Sequence, residues 1–366
     1  MARRRRPTSA ARALRALSRS GAAPSTASRS LSFRITMQTR PHLAVIGTGG
    51  TIAGQGAAAT DTASYTCSVL GIDAVLDGVP QAAQFAELHT EQLMQTGSEN
   101  FGNAALREIA ERVAHWLAEP HIDGVVLAQG TDTIEETAYF LHLTLKQTKP
   151  VVVVGAMRPP SALSSDVALN LYAAIAVAAD PRSHGLGTLV VTNDEIHSAR
   201  DVVKQHSFKL DAFRSPYGPL GLVVDGTPRY YRRPARAHTI NTPWFAAALP
   251  ELPRVDIVQA YGELDAAWLD TATAQSHGLI FAGTGNGNVA AHLVDTLRAA
   301  ARRGVWIVRA SRTGNGVVTR NGAQPDDAYG WLSVDDQIPQ KARILLMLGL
   351  TVSRDRAGLQ AMFSKY

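Results

Sequence analysis

The sequence is poor in cysteine, because Cys67 is the single thiol among 366 residues. One thiol excludes an internal disulfide and a cysteine-rich metal site. The chain has no run of 18 or more apolar residues, no His-Glu-x-x-His and no Gly-x-Ser-x-Gly, so it offers no sign of a membrane span, a metal centre or a classical serine hydrolase. We expect a protein without metal, cofactor or membrane contact, for which the cytosol fits best and the periplasm is the alternative.

Acidic residues are absent from the beginning of the chain. Residues 1–40 contain ten arginines and no lysine, and the first acid is Asp61. The remaining chain has 26 basic and 31 acidic residues, so the net charge of +5 comes from this segment. A nucleic-acid-binding body needs a basic stripe of its own, and we expect none here. We predict a disordered basic arm over 1–40; a true start at Met37 and a targeting or nucleic-acid-binding tail are the alternatives.

Apolar strand-like runs alternate with helical periodicity along the rest of the chain. Ile134, Ala138 and Leu141 are spaced four and three residues apart and predict one face of a helix. Thr133 and Glu136 have capping-box spacing, so this helix is expected to begin just after residue 132. The alternation predicts an α/β fold with a large, doubly wound, mostly parallel sheet. Its predicted strands include residues 43–46, 125–128, 151–154 and 188–192.

Four prolines between residues 232 and 253 predict a linker. Beyond it, residues 255–259, 278–282 and 305–309 have the pattern of strands, and residues 289–301 that of a helix. We therefore predict a large N-terminal α/β domain over 41–231 that carries the catalytic residues, a linker over 232–253 and a smaller α/β domain over 254–366.

Two turns rich in glycine and threonine follow two of the predicted strands. Residues 47–54 read Gly-Thr-Gly-Gly-Thr-Ile-Ala-Gly, and residues 129–133 read Gln-Gly-Thr-Asp-Thr. Such turns lie at the carboxyl edge of a parallel sheet, where α/β proteins bind ligands. The hydroxyls of Thr51 and Thr131 therefore suggest nucleophilic chemistry. A phosphate-binding turn is the alternative at Thr51, although no complete dinucleotide or P-loop pattern is present.

Further polar residues are candidates for the same site. Asp132 is either the partner of a hydroxyl or a helix cap. Lys204 is either a base that completes a relay or a solvated surface lysine, and the residues alone favour the surface lysine. Tyr65 lies in a polar stretch typical of a mobile lid, with an ordinary half-buried tyrosine as the alternative. Ser98 and Glu99 share a polar loop that is either part of the site or a helix N-cap.

Together, these motifs resemble the bacterial L-asparaginase and glutaminase-asparaginase family, and within it the type II-like homotetramers. The resemblance covers about residues 41–366. It includes the two threonine turns, Val-Gly-Ala-Met-Arg-Pro at 154–159 and Gly-Thr-Gly-Asn-Gly-Asn at 283–288. The segments at 217–221 and 339–343 also match.

The resemblance implies hydrolysis of L-asparagine to L-aspartate and ammonia through a threonine acyl-enzyme, with glutaminase side activity left open. It implies that Thr51 is the nucleophile and Tyr65 its activating partner. It also implies a second triad formed by Thr131, Asp132 and Lys204, with backbone amides near the two threonines as the oxyanion hole.

The resemblance also implies the substrate contacts and the assembly. Ser98 would bind the α-carboxylate, and Asp132 with Glu99 would bind the α-ammonium. Asn286 would reach the site from a neighbouring subunit of a homotetramer built from two close dimers. No cofactor, metal, nucleic acid or membrane partner is implied.

Three positions depart from the family pattern. Gln129 stands where many relatives have histidine. Glu99 stands where some strict asparaginases have glutamine, which leaves the choice between asparagine and glutamine open. In the family, an acidic residue from the small domain of a neighbouring subunit contributes to the site. That residue aligns near Gln324, where this chain has no acid. Two other functions remain as alternatives: a subunit that supplies ammonia to a tRNA-dependent amidotransferase, and a non-catalytic module that binds an amino acid.

Overall fold

The computed structural model describes residues 40–366, so the predicted basic arm and Met37 lie, apart from Arg40, outside the described residues. Over 40–366 the chain forms an eight-stranded sheet, a four-stranded sheet and a two-stranded ribbon. The strands are β1 His42–Gly47, β2 Glu87–Gln92, β3 Gly124–Ala128, β4 Val151–Val154, β5 Thr188–Thr192, β6 Glu195–Ser198, β7 Val203–Lys204, β8 Phe213–Arg214, β9 Gly221–Val224, β10 Thr227–Tyr230, β11 Val255–Gln259, β12 Gly278–Gly283, β13 Trp306–Ser311 and β14 Leu332–Ser333.

Nine α-helices lie between and after these strands in the described range. They are α1 Ile72–Asp77, α2 Asn103–Ala118, α3 Ile134–Thr144, α4 Val167–Ala179, α5 Ala266–Thr273, α6 Ala291–Arg302, α7 Asp326–Tyr329, α8 Pro339–Val352 and α9 Arg356–Lys365. Three short 3₁₀ turns matter for the site: Thr51–Ala53, Ser98–Asn100 and Thr131–Thr133.

The large sheet has the strand order β10-β9-β6-β5-β4-β3-β1-β2. Strands β2, β1, β3, β4 and β5 are parallel, and β6, β9 and β10 continue the sheet antiparallel. One face packs against α2 and α3, and the other against α1 and α4. Helices on both faces explain why β3 and β4 are apolar at every position. The predicted large and mostly parallel sheet is confirmed.

The small sheet is parallel throughout, in the order β11-β12-β13-β14. One of its faces packs against α5 and α6. The other face shares a single apolar cluster with α8, α3 and the large sheet, to which Ile280 and Val308 belong. The predicted smaller α/β unit is confirmed, and its core is continuous with that of the large sheet.

The helix after the second turn begins at Ile134, as its periodicity predicts, but the capping-box hydrogen bond is not formed. The Thr133 hydroxyl instead donates to the carbonyl of Ser98 at 2.9 Å, because the Ser98–Asn100 turn lies beside it. The predicted linker contains two short 3₁₀ turns and the buried Trp244, whose indole N–H donates to Leu348 O at 2.7 Å. The domain boundaries at residues 231 and 254 stay a prediction.

Candidate active site

The two threonine turns lie side by side at one edge of the large sheet. Strands β1 and β3 are parallel neighbours, with Gly47 paired to Ala128 at their carboxyl ends. The amide of Thr48 then donates to Ala128 O at 3.0 Å, which extends the pairing into the first turn. The carboxyl ends of parallel strands meet at a common edge, so the turns that follow them are brought together.

Glycine makes the close approach of the two turns feasible. Gly50 has φ +88°, and a Cβ on it would lie 2.2 Å from Gly130 Cα. A Cβ on Gly130 would in turn lie 2.9 Å from Ser98 Oγ. The first and second turns therefore pack backbone against backbone, and Ser98 packs against the second turn, at distances that leave no room for a side chain on Gly50 or Gly130.

Thr51 and Tyr65 meet at the first turn. Their hydroxyl oxygens are 2.7 Å apart, so one donates a hydrogen bond to the other. The segment that carries Tyr65 returns to the turn in two places: Gln55 pairs with Thr66, and the amide of Gly50 donates to Ser68 Oγ at 2.7 Å. Sequence reasoning missed Ser68, which lies in a polar stretch without a spacing signal.

The second cluster joins Thr131, Asp132 and Lys204. Lys204 Nζ donates to Thr131 Oγ1 at 2.9 Å and to Asp132 Oδ1 at 2.6 Å. The Lys204 side chain is 15% exposed and that of Asp132 is 60% exposed, while Thr131 is buried. Lys204 is therefore not a solvated surface lysine, and Asp132 presents a carboxylate oxygen to solvent beside a fixed ammonium.

Ser98 is buried against the second turn. Its Oγ accepts hydrogen bonds from the amides of Asp132 at 3.1 Å and Thr133 at 3.3 Å. A hydroxyl has one proton to donate and two lone pairs, so the Ser98 O–H stays available to an acceptor. Glu99 next to it is exposed, and its carboxylate accepts from Asn100 Nδ2 at 3.1 Å.

Asn286 lies in the loop after β12, and its side chain forms hydrogen bonds with the backbone of the segment 317–319. Its Nδ2 donates to Val317 O at 2.8 Å, and its Oδ1 accepts from the amide of Thr319 at 3.0 Å. Among residues 40–366 no hydrogen bond joins it to the other predicted site residues. Gln324, at the position of the missing acid, donates to Val289 O at 3.1 Å.

Glu135 contacts the Thr131–Asp132–Lys204 cluster from α3 and was missed as a site residue, although it belongs to the second motif. Its Oε2 accepts a hydrogen bond from the backbone amide of Lys204 at 2.6 Å. Burial raises the pKa of the Glu135 carboxyl, against the opposing effects of this hydrogen bond and of the Lys341 charge. No sequence spacing links Glu135 to Lys204, because the two meet only in the folded chain.

The arrangement has the parts of an acyl-transfer site for a charged small molecule. Each of two hydroxyls has a polar partner able to exchange its proton. Carboxylates and a free hydroxyl lie beside them, which suits the two charges of an amino acid. Within residues 40–366 no group of three His, Cys, Asp or Glu is placed to hold a metal ion. No helix in this range has the length and apolar character needed to cross a bilayer.

Comparison with known proteins defines the family. Residues 42–236 match the family model "Asparaginase, N-terminal", and residues 254–363 match "Glutaminase/Asparaginase C-terminal domain". The chain belongs to the asparaginase family. It is 45% identical to a glutaminase-asparaginase of Pseudomonas fluorescens biotype A, over 90% of this chain and 92% of that relative.

Two further relatives extend the comparison. The chain is 40% identical to L-asparaginase 2 of Escherichia coli, over 89% of this chain and 93% of that protein. A solved structure of a probable cytoplasmic L-asparaginase from Campylobacter jejuni superimposes with a TM-score of 0.86 at 40% identity, covering 89% of this chain and all of that one. The resemblance stated from the motifs is confirmed.

Proposed function

We propose that this protein is an amidohydrolase that converts L-asparagine to L-aspartate and ammonia. One observation carries the proposal: the Thr51–Tyr65 hydroxyl pair and the Thr131–Asp132–Lys204 cluster follow neighbouring strands at one sheet edge. The names of the relatives, L-asparaginase and glutaminase-asparaginase, agree with it. A module that only binds an amino acid has no use for two activated hydroxyls.

In the proposed reaction, Thr51 Oγ attacks the carboxamide carbon and its proton passes to Tyr65 Oη, while the hydroxyl proton of Tyr65 passes on to the leaving nitrogen. The carbonyl oxygen becomes an oxyanion, for which the amide groups of Thr51 and Thr131 are proposed donors, since neither has an acceptor within residues 40–366. The C–N bond then breaks, and ammonia leaves with the transferred proton. Water attacks the resulting ester, which releases L-aspartate and restores the Thr51 hydroxyl.

We assign the second cluster and its neighbours to proton transfer and substrate binding. Lys204, held between Thr131 and Asp132, supplies and accepts protons at the carboxamide. The free O–H of Ser98 donates to the substrate α-carboxylate. The exposed carboxylates of Asp132 and Glu99 bind the α-ammonium. Glutamine carries the same two charges on a longer side chain, so these contacts alone leave glutamine as a second substrate.

We further propose a homotetramer of two close dimers, in which Asn286 of one subunit lies near the site of another. The support is indirect: Asn286 does not reach the site of its own chain. The mass of the purified protein from light scattering tests this assembly. If the purified protein is a monomer, Asn286 does not lie near the site of another subunit and its proposed role is wrong.

Ammonia release by purified protein, with L-asparagine and L-glutamine as substrates, tests the proposed function. The wild type is expected to release ammonia from L-asparagine, and Thr51→Ala to lose at least about a thousandfold in kcat, because the attacking hydroxyl is gone. Circular dichroism of Thr51→Ala checks that the fold is intact. Wild-type turnover by a folded Thr51→Ala would refute the assignment of the nucleophile, and L-asparagine binding without ammonia release would favour the binding module.

A further inference from the structure

The proposed role of Lys204 requires its ammonium to contact two side chains at once. One ammonium must lie 2.9 Å from Thr131 Oγ1 and 2.6 Å from Asp132 Oδ1 at the same time. Yet Lys204 belongs to β7, a strand of two residues that, within residues 40–366, pairs with the two-residue β8 alone. Such a short ribbon gives its own backbone little support. The position of Lys204 must therefore be fixed by other parts of the molecule.

Lys341 fixes the chain just before Lys204. Lys341 lies on α8 and is 1% exposed, so its ammonium is removed from solvent. Its Nζ donates to the carbonyl oxygens of Arg200 at 2.9 Å and Val202 at 2.5 Å. A buried ammonium needs such acceptors, and here both come from the segment that leads into β7. Helix α8 follows the small sheet in the chain, so the far end of the sequence holds the approach to the catalytic lysine.

Glu135 fixes Lys204 itself. Glu135 is buried on the first turn of α3, directly after the second threonine turn. Its Oε2 accepts the Lys204 amide at 2.6 Å. The helix that carries the carboxylate thus starts from the turn that carries Thr131 and Asp132. This hydrogen bond ties the backbone of the lysine to the element that presents both partners of its ammonium.

The two buried charges also interact with each other. Burial raises the pKa of Glu135 against the opposing charge of Lys341, and burial lowers the pKa of Lys341 to about 7 against the opposing charge of Glu135. The ring of Tyr139 faces the Lys341 ammonium at 5.9 Å. Neither residue has a place in the reaction proposed above. Burying an ionisable side chain costs stability, so the presence of both groups beside residues 200–204 indicates a role other than stabilising the core.

We propose that Glu135 and Lys341 are positioning residues for Lys204, holding the backbone of residues 200–204 so that the lysine ammonium meets Thr131 and Asp132 together. This inference rests on the proposed function for its kinetic consequence. Its structural content, the placement of Lys204 Nζ, does not depend on which reaction the site performs.

The kinetic test compares variants that keep or remove the tethers, with L-asparagine as the substrate. Glu135→Ala removes the acceptor of the Lys204 amide, whereas Glu135→Gln keeps a carbonyl oxygen there. We expect kcat to fall about 100-fold in Glu135→Ala, as a displacement of about 1 Å does, with KM within about threefold of the wild type. Glu135→Gln is expected to stay within about tenfold of the wild-type kcat. Lys209→Met, an exposed lysine five residues further on, is the control and leaves kcat unchanged.

Lys341→Met alone leaves the Glu135 carboxyl buried without the Lys341 charge that opposes the effect of burial. This variant therefore risks unfolding. The double variant Glu135→Gln/Lys341→Met removes both charges, and its folding is checked by circular dichroism. It lacks the Lys341 tethers to the Arg200 and Val202 carbonyls, and we expect kcat about 100-fold below the wild type with little change in KM. A folded double variant with wild-type kcat, or a change in KM alone, would overturn the proposal.

A crystal structure of the double variant separates this proposal from the proposed function. We expect Lys204 Nζ to lie beyond hydrogen-bond distance of Thr131 Oγ1 or Asp132 Oδ1. If Nζ keeps both contacts, the positioning role is wrong whatever the enzyme does. If the wild type releases no ammonia from L-asparagine while the double variant displaces Nζ, the proposed function fails and the positioning role stands.

Discussion

At the scale of single residues, the site depends on partners that are far apart in the sequence. Thr51 meets Tyr65, fourteen residues away, and Thr131 meets Lys204, seventy-three residues away. The threonine turns are visible in the sequence because glycine and threonine follow apolar strands there. Lys204 is not visible in this way: a lysine in a short polar stretch has the pattern of a surface residue. The residues alone leave a relay base and a surface lysine open and favour the surface lysine, and the resemblance to a family is what implies the relay.

The Lys204 ammonium is proposed to carry protons at the carboxamide. Lys204→Met keeps most of the apolar stem but removes the donor to Thr131 Oγ1 and Asp132 Oδ1. Because positioned proton transfer contributes about 10²–10⁴-fold in rate, we expect kcat for L-asparagine to fall by about that factor. Ammonia release measures it, with Lys209→Met as the matched control. Unchanged turnover in Lys204→Met would exclude the lysine from the reaction.

At the scale of elements, the sequence predicts the strands and helices that have a local pattern of apolar and turn residues. Strands β4, β5 and β11 have the predicted bounds. Strands β4 and β5 are buried along their whole length, as parallel strands covered on both faces are. The capping box at α3 fails for a reason that local sequence does not contain. Its threonine finds the carbonyl of Ser98, which another turn brings alongside. Local sequence does not predict the contacts of Ser98 either, because the two amides that donate to its hydroxyl belong to the second motif.

The packing of the two threonine turns against each other depends on Gly50. In Gly50→Ala the new Cβ would lie 2.2 Å from Gly130 Cα, on a residue with φ +88°. Both the overlap and the left-handed backbone are costly, so we expect a loss of about 2–4 kcal/mol in the free energy of unfolding and a marked fall in kcat. Urea unfolding followed by circular dichroism measures the stability.

Gly262→Ala is the control for that change. Gly262 is exposed, and a Cβ on it meets no atom within 4 Å. Its stability is expected within about 0.5 kcal/mol of the wild type. Equal stability of Gly50→Ala and Gly262→Ala would show that the two turns do not pack as closely as described.

At the scale of the whole molecule, one apolar cluster runs from the large sheet through α3 and α8 to the small sheet. The sequence predicts each sheet, but it does not predict which face of the small sheet packs towards the large sheet. That packing depends on contacts between segments about two hundred residues apart, such as α3 and α8. Lys341 illustrates the limit. Its motif is recognisable in the sequence, but its contacts with the carbonyls of Arg200 and Val202 appear only in the fold.

The buried His142 gives the stability of the molecule a pH dependence. Burial, with a smaller contribution from the neighbouring His238, holds the pKa of His142 well below 6.5. The unfolded chain then binds a proton near pH 6.5 that the folded chain does not, so stability falls as the pH drops through about 6.5. One such proton contributes a slope of up to about 1.4 kcal/mol per pH unit.

His142→Asn tests this dependence. His142 Nδ1 accepts the amide of Thr188 at 3.1 Å, and an asparagine carbonyl oxygen is able to replace that acceptor without titrating. We expect the free energy of unfolding of the variant to depend less on pH between about 7 and 5 than that of the wild type. Urea unfolding at several pH values measures both slopes, and equal slopes would assign the acid sensitivity to other groups.

The central claim is that the Thr51 hydroxyl forms a transient ester with the acyl group of L-asparagine, and mass spectrometry tests it most directly. Wild-type protein is quenched in acid during turnover, digested and searched for a peptide that carries an aspartyl ester. The account predicts that the ester lies on Thr51 and is absent from Thr51→Ala. An ester on a different residue, or ammonia release that persists in Thr51→Ala, would contradict it.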